Sequence, residues 1–211
     1  VATLAPSSRG PKVTRTGAFT TPWRAIRVAA NAAGLYDNDL ELNLNEPNKL
    51  GDVSWVKPYR YVGVWWGMHL DTESWNIGPK HGATTANTKN YIDFAAKHGF
   101  RGVLVEGWNK GWEGNWFASG RSFSFVEPYP DFDLQELSRY AKSKGVRLVG
   151  HHETACAVSH YERQLEEALA LYARNGVDVV KTGYVCDAGQ IERQDAKGAA
   201  VTREWHDGQW M

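Results

Sequence analysis

From Tyr59 onward, apolar positions fall into two alternating kinds of run. One has the three-to-four-residue spacing of an amphipathic helix, and the other is a short unbroken β-branched stretch. KHGFRGVLVEGW (Lys97 to Trp108), SKGVRLVGHHE (Ser143 to Glu153) and RNGVDVVKTGY (Arg174 to Tyr184) share one plan. Each has a polar helix end, a glycine, a buried run and then polar residues. Gly99, Gly145 and Gly176 stand where a helix C-terminus favours a left-handed residue. Three helices precede these glycines. The first runs over Thr88 to His98 with Tyr91, Phe94 and Ala95 on one face. The second follows Asp133, whose spacing to Glu136 is that of a capping box, and turns Leu134, Leu137 and Tyr140 inward. The third follows Ser159, with Glu162 completing a second box and Leu165, Leu169 and Tyr172 inward.

YVGVWWGM (Tyr61 to Met68) adds an earlier strand. Helix, glycine and buried strand in repetition predict an α/β fold with a parallel sheet. A closed (β/α)8 TIM barrel has eight strands and typically about 250 residues. The pattern therefore predicts a partial barrel of about four βα units over residues 59–211. Before Tyr59, short alternating runs broken by Asn, Gly and Asp read as irregular β structure and linker. The connection from Gly107 to Asp133 is long and rich in Trp, Gly and Phe, as functional or mobile loops are.

Composition narrows the function classes. Lysine plus arginine and aspartate plus glutamate number 24 each, so no net charge points to nucleic acid or to a membrane surface. No run approaches the roughly 18 apolar residues of a spanning helix. The opening VATLAPSSRG has neither an initiator methionine nor the apolar core of a signal peptide. Ten tryptophans suit stacking on sugar C–H faces as well as core packing. Cys156 and Cys186, the two cysteines, form no CxxC pair and allow either a disulfide or two buried thiols.

In parallel α/β folds, ligands bind at the C-terminal ends of strands. Here those ends carry Glu106, with Trp108 and Asn109 after it, then His151, His152 and Glu153, then Lys181, Thr182 and Gly183. Alternation places His151 and Glu153 on one face and His152 on the other. Three neighbouring strands ending in ionisable groups favour a pocket over helix capping as the role of Glu153. HHET is not the HExxH of a zinc protease, and adjacent histidines on a strand point opposite ways, so no metal ligand is assigned. Lys181 fits a Schiff-base lysine or a lysine that binds a hydroxyl or a carboxylate. Trp65, Trp66, Trp108, Trp112 and Trp116 are candidates for a sugar platform, and Glu46 belongs to a turn.

LNLNEP, DVSWVKPYRYVGVWW, YIDFAAKHGFRGVLVEGWNKGWEGNW, PYPDFDLQELSRYAKSKGV, HHET and VVKTGY, in that order, resemble glycoside hydrolase family 97, the α-glucosidases and α-galactosidases. The resemblance runs from about Thr21 to the end. It implies that residues 1–58 are the end of an N-terminal β-sandwich domain with its linker, and that residues 59–211 are the first half of a catalytic barrel. It implies Glu153 as a general base activating water, with Glu106, His151 and Lys181 on the substrate; Trp108 joins these candidate substrate-binding residues by its place after the strand end. A second base and the general acid would lie beyond Met211, so this length alone is expected to be inactive. Calcium is implied for the full-length enzyme, with no ligand among these residues. The partners implied are an oligosaccharide and the remainder of the same polypeptide, in the periplasm or outside a bacterium.

The family's retaining branch uses an aspartate nucleophile at the end of the fourth strand, where this chain has Gly183. The expectation is therefore inversion at a terminal α-glucosidic bond, with Asp187 as the carboxylate that could overturn it. Two other readings stay open: a non-catalytic carbohydrate-binding barrel using the tryptophans, and a Schiff-base barrel enzyme using Lys181.

Overall fold

The computed structural model describes residues 11, 13–21, 24–118, 120–183, 185, 189–194, 197 and 199–206. Residues Val13–Pro58 form one compact unit, and the chain from Tyr59 onward belongs to another. In the first unit, the stretch expected as irregular β holds two short helices, α1 (Ala32–Tyr36) and α2 (Leu40–Leu44). The Asn31 side chain nucleates α1 by accepting a hydrogen bond from the Gly34 N–H at 3.0 Å.

The second unit is built on four parallel strands in sequence order: β1 (Tyr61–Val64), β2 (Gly102–Val105), β3 (Arg147–Glu153) and β4 (Val180–Gly183). This is the α/β arrangement of a partial TIM barrel. β1 is shorter than the sequence suggests, because the chain turns after Trp65 into the single turn α3 (Trp66–His69). Three longer helices alternate with the strands: α4 (Thr85–Lys97), α5 (Leu134–Ser143) and α6 (Val158–Arg174). β2 is buried throughout and β3 nearly so, as expected of parallel strands covered on both faces.

One of the two expected capping boxes is seen at its N-cap, and α4 has a cap that the sequence pattern left unmarked. Asp133 accepts from the Glu136 N–H at 2.8 Å, and Thr84 accepts from Asn87 at 3.1 Å. Gly99, Gly145 and Gly176 end their helices at φ of 72°, 70° and 70°. The box expected at Ser159 and Glu162 does not form. α6 begins two residues earlier, with Ala157 at its N-cap and no side-chain capping bond. Ala155 and Cys156, both at positive φ, turn the chain sharply out of β3 and set that earlier start.

Val103, Val105 and Leu148 pack outward against Ile92, Ala95, Leu137, Ala141 and Tyr172 to form the main core. On α4 the buried stripe is Thr88, Ile92 and Ala95, and Phe94 is half-exposed. On α6 it is Ala168 and Tyr172, and Leu169 is exposed. The long connection between β2 and α5 has a core of its own: Trp112, Trp116, Phe123, Phe125 and Tyr129, closed by Ala155 and Ala168. After β4, β5 (Gly189–Gln194) and β6 (Ala200–His206) pair antiparallel in a sheet separate from the parallel one.

Cys156 is disulfide-bonded, and Cys186, the other cysteine of the chain, lies outside the described residues. Among the described residues, no helix is long and apolar enough to cross a membrane.

Candidate active site

The interior face of the sheet collects the strand-end groups. In register, His151 lies beside Lys181 and Glu153 beside Gly183. Alternation along β3 sends His151 and Glu153 to the interior, whereas His152 stacks on the Tyr172 ring of α6 at 4.8 Å. The expected split of the two histidines is therefore what the fold shows.

Glu106, the first residue after β2, is the hub. Its Oε1 lies 3.4 Å from His151 Nε2 and 3.6 Å from Lys181 Nζ, and its Oε2 accepts a hydrogen bond from Trp75 Nε1 at 3.2 Å. Burial raises the Glu106 pKa, and the Trp75 hydrogen bond and Lys181 oppose that rise. His151 is fully buried, and its pKa falls to about 3, first through desolvation and then through the Lys181 charge. The ring is thus neutral at ordinary pH, and its approach to Glu106 is a polar contact rather than an ion pair.

Glu153 is 3% exposed. Its Oε1 accepts hydrogen bonds from the backbone N–H groups of Ala155 and Val185, each at 2.8 Å. Burial raises its pKa to about 7 despite those donors. At neutral pH this carboxyl is therefore poised to give or take a proton. Oε2 faces the space above Gly183.

Lys181 is 47% exposed at its side chain and 6.0 Å from the Trp65 ring. Its amine engages Glu106 in the open, unlike the sequestered amine of a Schiff-base lysine.

Trp108 lies elsewhere than the sequence suggests. Two residues after Glu106, strand alternation would carry it to the interior. Gly107 adopts φ of 80° and swings the indole into the core, where it is 1% exposed and touches Phe132 and Tyr172. There Nε1 donates to the His151 carbonyl at 2.8 Å, so Trp108 holds β3 from behind. Trp112 and Trp116 are buried, and Trp65 and Trp66 remain open at 39% and 57% exposure.

Trp75 escaped the sequence reading. It stacks on Trp112 (6.1 Å, 8° between planes) while reaching Glu106. It lies 31 residues from that carboxylate in an irregular loop, where no periodicity marks it. Among the described residues, no group of three or more His, Cys, Asp or Glu is arranged to hold a metal ion. No chemical step is assigned to calcium. Asp187 lies outside the described residues.

Comparisons with known proteins bear on this geometry. The family described as glycoside hydrolase 97 matches residues 65–211, and the glycosyl-hydrolase 97 N-terminal family matches residues 2–47. The retaining alpha-galactosidase of Bacteroides thetaiotaomicron is 29% identical over 170 residues, 78% of this chain and 22% of that protein. A probable retaining alpha-galactosidase of Streptomyces bingchenggensis is 25% identical over 201 residues, 93% of this chain and 27% of that one. A family 97 enzyme of Pseudoalteromonas sp., solved with acarbose, is 60% identical with a TM-score of 0.80, over 87% of this chain and 28% of that enzyme. A point variant of it, solved with panose, matches equally well. The chain thus spans about a quarter of the length of these relatives.

The expectation of inversion at an α-glucosidic bond is corrected by the two curated relatives above, which are named retaining or probable retaining alpha-galactosidases. Gly183 was a poor guide to stereochemistry. The outcome depends on the separation of two catalytic carboxyls, about 5–5.5 Å for retention and 6.5–9.5 Å for inversion. A glycine in one register position does not fix where the second carboxyl stands. With the 97 family match covering most of the chain and a 60% identical family 97 structure superposing on it, the chain belongs to glycoside hydrolase family 97.

Proposed function

We propose that this chain forms one wall of the active site of a glycoside hydrolase acting on a terminal α-linked sugar, completed by further length such as its relatives have. Glu153 transfers the proton, and Glu106, His151 and Lys181 hold sugar hydroxyls. The observation that supports this most is the setting of Glu153: interior face, strand end, one oxygen fixed by two amides, and a pKa near neutrality. Hydrolysis of a glycosidic bond adds water across it and needs a proton given to the leaving oxygen and one taken from water. A carboxyl that is part protonated at pH 7 serves either need.

The relatives' names and ligands, galactosidases on one side and acarbose and panose on the other, support an α-hexoside as the substrate class. A pure carbohydrate-binding role is less well supported, because binding alone does not need a buried carboxyl tuned to neutral pH.

The test uses the chain extended to the full length of its relatives, assayed on p-nitrophenyl α-glucoside and α-galactoside in parallel. Glu153→Gln is expected to lower kcat by more than about a hundredfold on the accepted substrate, with a much smaller change in KM. An unchanged kcat would remove Glu153 from proton transfer.

A further inference from the structure

His81 is the most enclosed titratable group on the loop that carries Trp75. The neck of that loop is closed by backbone hydrogen bonds: Ser74 N–H to the Lys80 carbonyl at 2.8 Å, and Gly82 N–H to the Ser74 carbonyl at 3.0 Å. Trp75 and His81 leave this neck from its two sides. Their side chains reach consecutive residues of the β2 end. The Trp75 indole donates to Glu106, and His81 Nε2 lies 2.9 Å from the Gly107 carbonyl. A carbonyl cannot donate, so Nε2 carries the hydrogen. Nδ1 lies 2.7 Å from Asp131 Oδ2, just before α5. The imidazole is fully enclosed and rests edge-on against Tyr129 at 5.2 Å.

Gly107 is gripped from a second side by the same loop. A Cβ on it would stand 2.7 Å from the Trp75 carbonyl oxygen. Its left-handed turn aims Glu106 at the interior and Trp108 at the core. Whatever holds Gly107 therefore sets the direction of the hub carboxylate.

We infer that His81 is a positioning residue: by tying the Gly107 carbonyl to Asp131 it locks the 74–82 loop on the β2 end and keeps the Trp75 indole hydrogen-bonded to Glu106. The value of this lock for catalysis rests on the proposed substrate role of Glu106, but the lock itself is observable without it.

Two readouts in the extended chain separate these claims. The Trp75 indole N–H resonance, assigned by its loss in Trp75→Phe, reports the hydrogen bond directly. In His81→Leu it is expected to move upfield and exchange faster with solvent. His81→Gln, which keeps a donor for Gly107, is expected to restore it. Asp131→Asn, a milder change that keeps an acceptor, is expected to shift it part-way in the same direction. KM for the accepted α-glycoside is expected to rise about tenfold in His81→Leu and to recover in His81→Gln, with kcat changing less. An indole resonance that stays in place in both His81→Leu and Asp131→Asn overturns the inference, even where the melting temperature falls. Glu106→Gln in the same assay tests the other claim. If it leaves KM unchanged, the substrate role of Glu106 fails while the resonance still decides the role of His81.

Discussion

Glu153 and Gly183 stand side by side on β3 and β4, and the carboxyl of the first occupies the volume that a side chain on the second would need. Glycine is required here for space, since its φ is one that any residue adopts. Gly183→Ala is therefore expected to displace Glu153 from the Ala155 and Val185 amides. In the extended chain, kcat should fall at least about tenfold, with only a modest loss of stability because a flexible side-chain end can yield. Near-normal kcat in a folded Gly183→Ala protein would show that the carboxyl has room to spare.

The pH dependence of stability follows from the raised pKa of Glu153. Burial pushes it up to about 7 from the ordinary carboxyl value of 4.5, so the folded state holds its proton more tightly than the unfolded state does. That contribution is fully present below about pH 4.5 and is lost as pH rises through about 7. Glu153→Gln mimics the protonated form at every pH. Relative to wild type, the variant should gain stability between pH 5 and pH 8 in urea unfolding of the extended chain. A constant difference across that range would mean the carboxyl titrates normally.

Tyr172 serves β3 where its ladder to β2 has ended. That register runs only to Leu104 and Val149. Beyond it, the Tyr172 hydroxyl accepts from the His151 N–H at 3.1 Å and donates to the His151 carbonyl at 3.2 Å. Tyr172→Phe keeps the stacking on His152 but leaves a buried N–H unpaired, at a cost of about 1–3 kcal/mol. Urea denaturation measures it, and a loss well below that range would mean water reaches the strand.

Lys181 distinguishes a sugar-holding wall from Schiff-base chemistry. Lys181→Met is expected to raise KM several-fold and to push the Glu106 pKa further up, since the ammonium is one of the influences holding it down. Borohydride treatment of the wild type with a carbonyl-bearing sugar should leave its mass unchanged. A stable adduct on Lys181 would revive the Schiff-base reading.

What the sequence disclosed, and what it hid, divides along local and non-local lines. Asp133, Gly99, Gly145 and Gly176 act within a few residues of themselves, and their roles were legible. So was the sharing of one face by His151 and Glu153, which needs only the two-residue period of a strand. Ser159 and Glu162 misled because tertiary geometry at Ala155 and Cys156 had already started the helix. Trp108 misled because one left-handed glycine reversed the alternation. Trp75 and His81 were invisible: their importance lies in contacts 31 and 26 residues away, made from a loop without periodicity.

The separate aromatic core of the β2–α5 connection has a consequence for motion. Apolar clusters that share few side chains with the main core open as their own cooperative units, at lower free energy than the whole fold. Amides such as Phe123 and Phe125 should therefore exchange with solvent through a sub-global opening, while Val103 and Leu148 exchange only on full unfolding. The part that carries Trp112 and Trp116 can then loosen and re-form while the parallel sheet stays paired.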